Sequence, residues 1–179
     1  NLLLGVGQGS RFESHLIVLE YKGDPGSKEK IALVGKGVTY DTGGLDIKTR
    51  MMKEMNMDMS GAAVVMGIIR AASELKLKKN IIAVAPVVEN AVGMNSYKPG
   101  AILDSHLGKT VEIGNTDAEG RLALADALAY VVKNYKPTQV VDFATLTGSI
   151  VAALGNDYAG LFSTDKDADK IISAGEYVG

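Results

Sequence analysis

The sequence predicts an α/β protein, a three-layer α/β/α sandwich around a mixed central sheet, and three observations carry that prediction. Short apolar runs rich in β-branched residues, KIALVG and IIAVAPVV among them, read as strands. Between them lie stretches whose apolar residues recur at helical spacing. The length of 179 residues, with 46% hydrophobic and 22% charged, suits one domain able to bury a real core.

Taken in order, HLIVLEY at 15–21 and KIALVG at 30–35 are strands parted by the turn signal GDPGS, and hence an expected antiparallel pair. Residues 60–76 carry Ala63, Met66, Gly67, Ile69 and Ala72 in a dense apolar pattern, a buried helix. IIAVAPVV at 81–88 is a buried strand, and the polar link ENAVGMNSYKPG follows it. AILDS and KTVEIGN form a short hairpin. Leu122, Ala125, Leu128, Ala129 and Val132 recur at three- and four-residue spacing, which predicts a helix from Gly120 to about Asn134. Asp126 inside it is assigned to packing or hydrogen bonding. TQVVDFATL gives the next strand, followed by a short helix at 148–154, a strand near 158–163 and a terminal helix from about Lys166. Alternating strands and helices gather functional groups at strand ends.

Composition excludes several chemistries. Without cysteine there are no thiolate metal sites, disulfides or cysteine nucleophiles, and a reducing cytoplasm is the expected location. His15 and His106 stand far apart with no HExxH pattern, and no serine sits in a GxSxG elbow. A net charge of −2 provides no field for nucleic acid or membrane, and KLKK at 76–79 reads as a solvated helix end. No apolar run is long enough to span a bilayer.

Three segments carry candidate chemistry. NTDAEGR at 115–121 sets Asp117, Glu119 and Arg121 at alternate positions, which in an extended backbone project to one side. Crowded carboxylates repel unless a cation lies between them, and a hard divalent ion prefers such oxygens. The ordinary alternative is a solvated loop whose Asp caps the next helix. GKGVTYDTGGLDIK at 35–48 packs Lys36, Asp41, Asp46 and Lys48 among glycines after an apolar strand. A phosphate or nucleotide cradle is the alternative there, although the Walker pattern is missing. MNMDMSGAAVVMGIIRAA places Asp58 just before a helix, where an N-cap is the common role.

Together these segments resemble the catalytic domain of the cytosolic leucine aminopeptidase family, dinuclear metallo-exopeptidases, from VGQGS at 6–10 through ATLTGSIVAALG at 144–155. NTDAEGRLALADAL and VGKGVTYDTGG carry most of the resemblance. It implies that Lys36, Asp41, Asp58, Asp117 and Glu119 hold two divalent metal ions, Mn2+ or Zn2+ with Mg2+ or Co2+ admissible. Four carboxylates would balance two such ions, about 3.5–4 Å apart in comparable hydrolases. Lys36 could ligate only after giving up its proton.

The resemblance makes Lys48 and Arg121 the catalytic cations, Lys48 facing the developing oxyanion and Arg121 holding a bicarbonate that shuttles the proton. Met55, Thr145 and Gly148 would line the pocket for the substrate's first side chain, Leu- or Met-like, and the backbone of Leu146 would position the peptide. It implies peptide substrates with a free N-terminus, a homohexamer and a cytoplasmic location. Two departures stand out. KTRMMKEM at 48–55 is one residue shorter than the family's usual stretch, and the chain stops at SAGEYVG before the family's catalytic domain ends. A fragment is therefore expected, with an inactive metal-binding, structural or DNA-associated module as the competing reading.

Overall fold

The computed structural model describes residues 1–179 except the side chain of Asp165, in two compact units, Asn1–Thr145 and Leu146–Gly179. The first unit holds helix α1 (Leu2–Gly7), strands β1 (His15–Lys22), β2 (Ile31–Gly35) and β3 (Gly37–Asp41), and a 3-10 turn at Met52–Met57. Helix α2 (Ser60–Glu74), strand β4 (Asn80–Asn90), the hairpin β5 (Ile102–Asp104) and β6 (Thr110–Glu112), a second 3-10 turn at Thr116–Ala118, helix α3 (Glu119–Tyr135) and strand β7 (Gln139–Phe143) follow. The second unit contains helices α4 (Ser149–Leu154) and α5 (Asp165–Val178).

The sheet runs β1-β4-β2-β7, with β3 paired to β4 beyond the end of β2. β4 is antiparallel to β1 and parallel to β2 and β3, so the sheet is mixed. The expected β1–β2 pair is a correction: β4 lies between them. The turn signal at 23–27 does reverse the chain, but the buried apolar length of β4 competes better for both neighbours than they do for each other.

Period-two alternation splits the core into layers. Leu33 of β2 and Ile81 and Ala83 of β4 pack against Val65, Ile69 and Ala72 of α2 on one face. Ala32 and Val34 of β2 with Ile82 and Val84 of β4 face Leu124, Ala127 and Val131 of α3 on the other. Helix α1 joins that second layer through Leu2, Leu3 and Val6 against Val38, Val88, Leu122 and Ala123. Asp126 has the structural part expected of it, accepting from Leu3 N at 3.1 Å and His106 N at 2.7 Å. The strand expected near 158–163 does not form. No neighbouring strand is available within its unit, and a lone strand has nowhere to place its backbone hydrogen bonds.

One close approach positions the site. Lys36 alone separates β2 from β3; its N–H donates to Phe143 O at 2.9 Å and its carbonyl accepts from Ala62 N at 2.8 Å. Helix α2 thus begins against the sheet backbone, and Gly61 makes this possible: a Cβ there would run into the Phe143 carbonyl and lie 2.7 Å from Lys36 N. Gly61→Ala is expected to cost about 3 kcal/mol, the upper part of the usual overpacking range, read from urea unfolding. A loss below about 0.5 kcal/mol would show that the helix can shift freely.

Candidate metal centre

The site forms where β3, the start of α2 and the start of α3 converge near the carboxyl ends of parallel strands. Lys36 extends from the break between β2 and β3. Asp41 ends β3, and the chain then turns through Gly43 and Gly44, whose φ values of +86° and +65° few other residues adopt. Asp58 stands just ahead of α2 and Glu119 opens α3, so both carboxylates lie at helix N-termini, where the backbone dipole favours negative charge.

Asp41, Asp58 and Glu119 are buried, and each offers a carboxylate oxygen within 4.8 Å of the others, a group able to hold a metal ion. Lys36 Nζ donates to Asp58 Oδ1 at 2.8 Å and to Thr145 O at 3.0 Å, and lies 2.9 Å from Glu119 Oε1. Asp58 Oδ2 is also 2.8 Å from Nζ, but that contact lacks hydrogen-bond geometry, and the oxygen has no hydrogen-bond partner. Glu119 Oε2 is likewise buried without a partner. Lys48 Nζ bridges the other side, 2.8 Å from Asp41 Oδ2 and 2.6 Å from Asp117 Oδ1.

Four carboxylates against two ammonium groups leave the cluster two negative charges in excess when all are ionised. That shortage of positive charge is felt by the acids. Burial, opposed by Lys36 and assisted by the charges of Asp41 and Asp58, pushes Glu119 up to about 7. Burial raises Asp58 in the same direction against Lys36 and Thr145. For Lys48, burial works against the ammonium, yet hydrogen bonds and charges from Asp117 and Asp41 overcome it and hold the group above its ordinary value.

These shifts set a pH dependence for the metal-free chain. A carboxyl raised on folding binds its proton more tightly in the folded state. Its contribution to stability is full below about 4.5, its ordinary value, and is lost as pH climbs through about 7. Over this window the melting temperature of the metal-free wild type is expected to fall relative to that of Glu119→Gln. A gap that closes with rising pH would contradict the assignment.

The remaining expected residues are placed as follows. Arg121 is exposed on the first turn of α3 and makes no ion pair among the described residues. Met55 is half-buried in the 3-10 turn, and its carbonyl accepts from Asp58 N at 3.4 Å. Thr145 is bound into the cluster, its hydroxyl donating to Asp58 Oδ1 at 2.7 Å. Leu146 and Gly148 belong to the second unit. His15 and His106 are exposed and stand outside the cluster.

Several local readings change. Residues 115–121 are not extended: a 3-10 turn runs into α3, because Asn115 caps it, its side chain accepting from Asp117 N at 2.7 Å. The cap role considered for Asp117 thus falls to Asn115, and Asp58 caps nothing, since α2 starts from Met59 without a side-chain cap. A phosphate cradle is disfavoured, because both lysines are taken by carboxylates and the cluster is acidic overall.

Residues that the sequence did not single out complete the site. Asn90 and Thr116, both fully buried, and Tyr97 join its loops. Burial, then the charges of Glu119, Asp41, Asp117 and Asp46, raises the Tyr97 phenol, which stays a donor to Thr116 O at 2.5 Å. Asn90 ends the apolar run of β4 beside Asp41, and a polar residue closing a buried parallel strand was the available signal.

The chain is similar throughout to known proteins. The profile of the cytosol aminopeptidase family, catalytic domain, matches residues 1–179. A probable cytosol aminopeptidase of Protochlamydia amoebophila is 53% identical over 177 residues, covering 98% of this chain and 36% of that protein. One from Fusobacterium nucleatum is 49% identical over 178 residues, 98% of this chain and 37% of its own length. One from Cenarchaeum symbiosum is 51% identical over 164 residues, 91% and 34%. The chain therefore spans a little over a third of the length of the first two. With its buried acidic cluster and a catalytic-domain match from end to end, the chain belongs to the cytosol aminopeptidase family.

Proposed function

We propose that this chain is the catalytic part of a metal-dependent aminopeptidase that releases N-terminal residues, Leu- or Met-like by preference, from peptides. The observation that carries the reading is the buried cluster of Asp41, Asp58 and Glu119, where two carboxylate oxygens lack partners and negative charge is in excess. An oxygen-rich set with one lysine nitrogen suits hard or borderline divalent ions. Lys36, Asp41, Asp58, Asp117 and Glu119 would hold two of them, Mn2+ or Zn2+, with Mg2+ or Co2+ admissible. Bound there, a pair of divalent ions supplies Lewis acidity toward the scissile carbonyl and an acidified water.

The chain's own groups do the rest. Lys48, partly open to solvent where Lys36 is sealed, aims a fixed cation at the oxygen on which negative charge develops. Arg121, exposed and free of ion pairs among the described residues, is suited to hold bicarbonate as the proton shuttle. Thr145 fixes Asp58 and, with Met55, would border the first side chain of the substrate. The relatives are named cytosol aminopeptidases, and we assign this chain to the cytoplasm. No helix among the described residues is long and apolar enough to cross a membrane. A homohexamer is the proposed assembly.

The test is hydrolysis of leucine amide after manganese or zinc loading, beside N-acetylated leucine amide, with ions counted in the same sample. Cleavage confined to the free amine, with two ions per chain, is the expected result. Equal cleavage of both substrates would sink the exopeptidase reading, and no bound metal would sink the metal centre.

A further inference from the structure

We propose that Asn90 is a positioning residue whose side-chain amide locks Asp41 to the backbone of the 115–118 turn, so that the two acidic loops keep one fixed relation. The inference rests on the metal reading above. Asn90 ends β4 as the register partner of Asp41 and is fully buried. Its Nδ2 donates to Asp41 Oδ1 at 2.8 Å and to Thr116 O at 3.1 Å. Both neighbours are acceptors, so chemistry fixes which end of the amide faces them. Asp41 Oδ1 also accepts from Gly43 N at 2.9 Å. Oδ1 is thereby committed to the scaffold, and Oδ2 is left to face Lys48.

The other end of the link is equally built. Thr116 N donates to Asp46 Oδ2 at 2.7 Å and its hydroxyl donates to Gly43 O at 2.6 Å. The same carbonyl that Asn90 holds also accepts from Tyr97. The backbone carbonyl of Asn90 takes Thr42 N at 2.9 Å and the Thr42 hydroxyl at 2.8 Å, pinning the residue after Asp41. Against this, Asn90 Oδ1 is buried with no partner. A buried orphan oxygen is costly, and a leucine of similar size would avoid it, so packing alone does not account for an asparagine here. Its two donor hydrogens do, because each is spent on a different loop of the cluster.

The test measures Zn2+ affinity and ion count of the full chain by chelator competition, independently of turnover. Asn90→Ala and Asn90→Leu are expected to weaken at least one ion by about 10–100-fold, the usual effect of outer-shell partners. Their far-UV circular dichroism should match the wild type. Tyr97→Phe, which loses a hydrogen bond to the same carbonyl but none to Asp41, is expected to keep both affinities. Wild-type affinity in both Asn90 variants overturns the proposal. A wild-type chain that binds no ion overturns the metal reading first and this inference with it. Should neither variant fold, the wild type still decides: the Asn90 side-chain amide resonance is expected to move on zinc loading while that of Asn80, bonded to Asp24 O and far along β4, stays in place. An unmoved Asn90 amide overturns the assignment.

Discussion

Replacing Glu119 with Gln is expected to strip at least one divalent ion from the chain and to cut turnover by more than the roughly 10–100-fold that outer-shell changes cost. The same change should leave the metal-free fold at least as stable as before. Two effects compete in that second statement. Removing one member of a buried ion pair commonly costs about 3–5 kcal/mol, because the surviving charge is left alone. Here it is not alone: Lys36 keeps Asp58 at both oxygens and Thr145 O. Meanwhile an almost fully buried carboxylate with one orphaned oxygen disappears, and burial is the dominant influence on it. Relief of desolvation therefore wins. Metal counted by plasma emission and urea unfolding in chelator measure the two halves separately. Two ions retained would remove Glu119 from the ligand set, whereas a large loss of metal-free stability would make the Lys36–Glu119 pair a structural brace.

Lys48→Ala is expected to do the opposite. Turnover should fall about 10²–10³-fold, the size of a lost oxyanion donor, with two ions still bound. Lys48 bridges Asp41 and Asp117 and holds a pKa raised above 10.5, so its stabilising contribution is intact at all working pH values and fades only in strong alkali. The metal-free variant should thus be less stable at neutral pH, reversing the sign expected for Glu119→Gln. Arginine in this place is not expected to restore the rate, because a planar guanidinium does not reproduce a compact ammonium. Loss of ions from Lys48→Ala would mean that the lysine organises the acids rather than the substrate.

Local signals made most of the strands and the two long helices readable, whereas the charged members of the site were joined only by the resemblance. An unbroken apolar run marks β4 and helical periodicity marks α3, whereas Asp41, Asp117 and Glu119 sit in segments that taken alone read equally as a loop, a cap or a phosphate cradle. What stayed hidden depends on distant partners. β1 lies beside β4 because of tertiary competition that no turn signal encodes. The six residues of α1 are too short for periodicity to speak, and β3 was masked by the glycines around it. Asn90 and Thr116 act through bonds spanning 26 to 73 residues, and an Asn or Thr in a list of residues says nothing of which loop it will reach. The site's charges were legible through that resemblance; the neutral groups that orient them were not.

The backbone junction at Lys36 limits where this framework can gain or lose residues over evolution. Asp58 is carried by a helix seated directly on the sheet through Ala62 and Gly61, while Lys48 is tied back to its own loop by its N–H on Thr42 O at 2.9 Å. The intervening 49–54 stretch is itself tied to the sheet, the hydroxyl of Tyr40 in β3 donating to Met52 O at 3.0 Å. Length can change at the exposed residues 49–51, ahead of that contact, with less disturbance to either anchor. A residue gained between Asp58 and Ala62 has no such freedom, because it would unseat the helix and carry the ligand away with it.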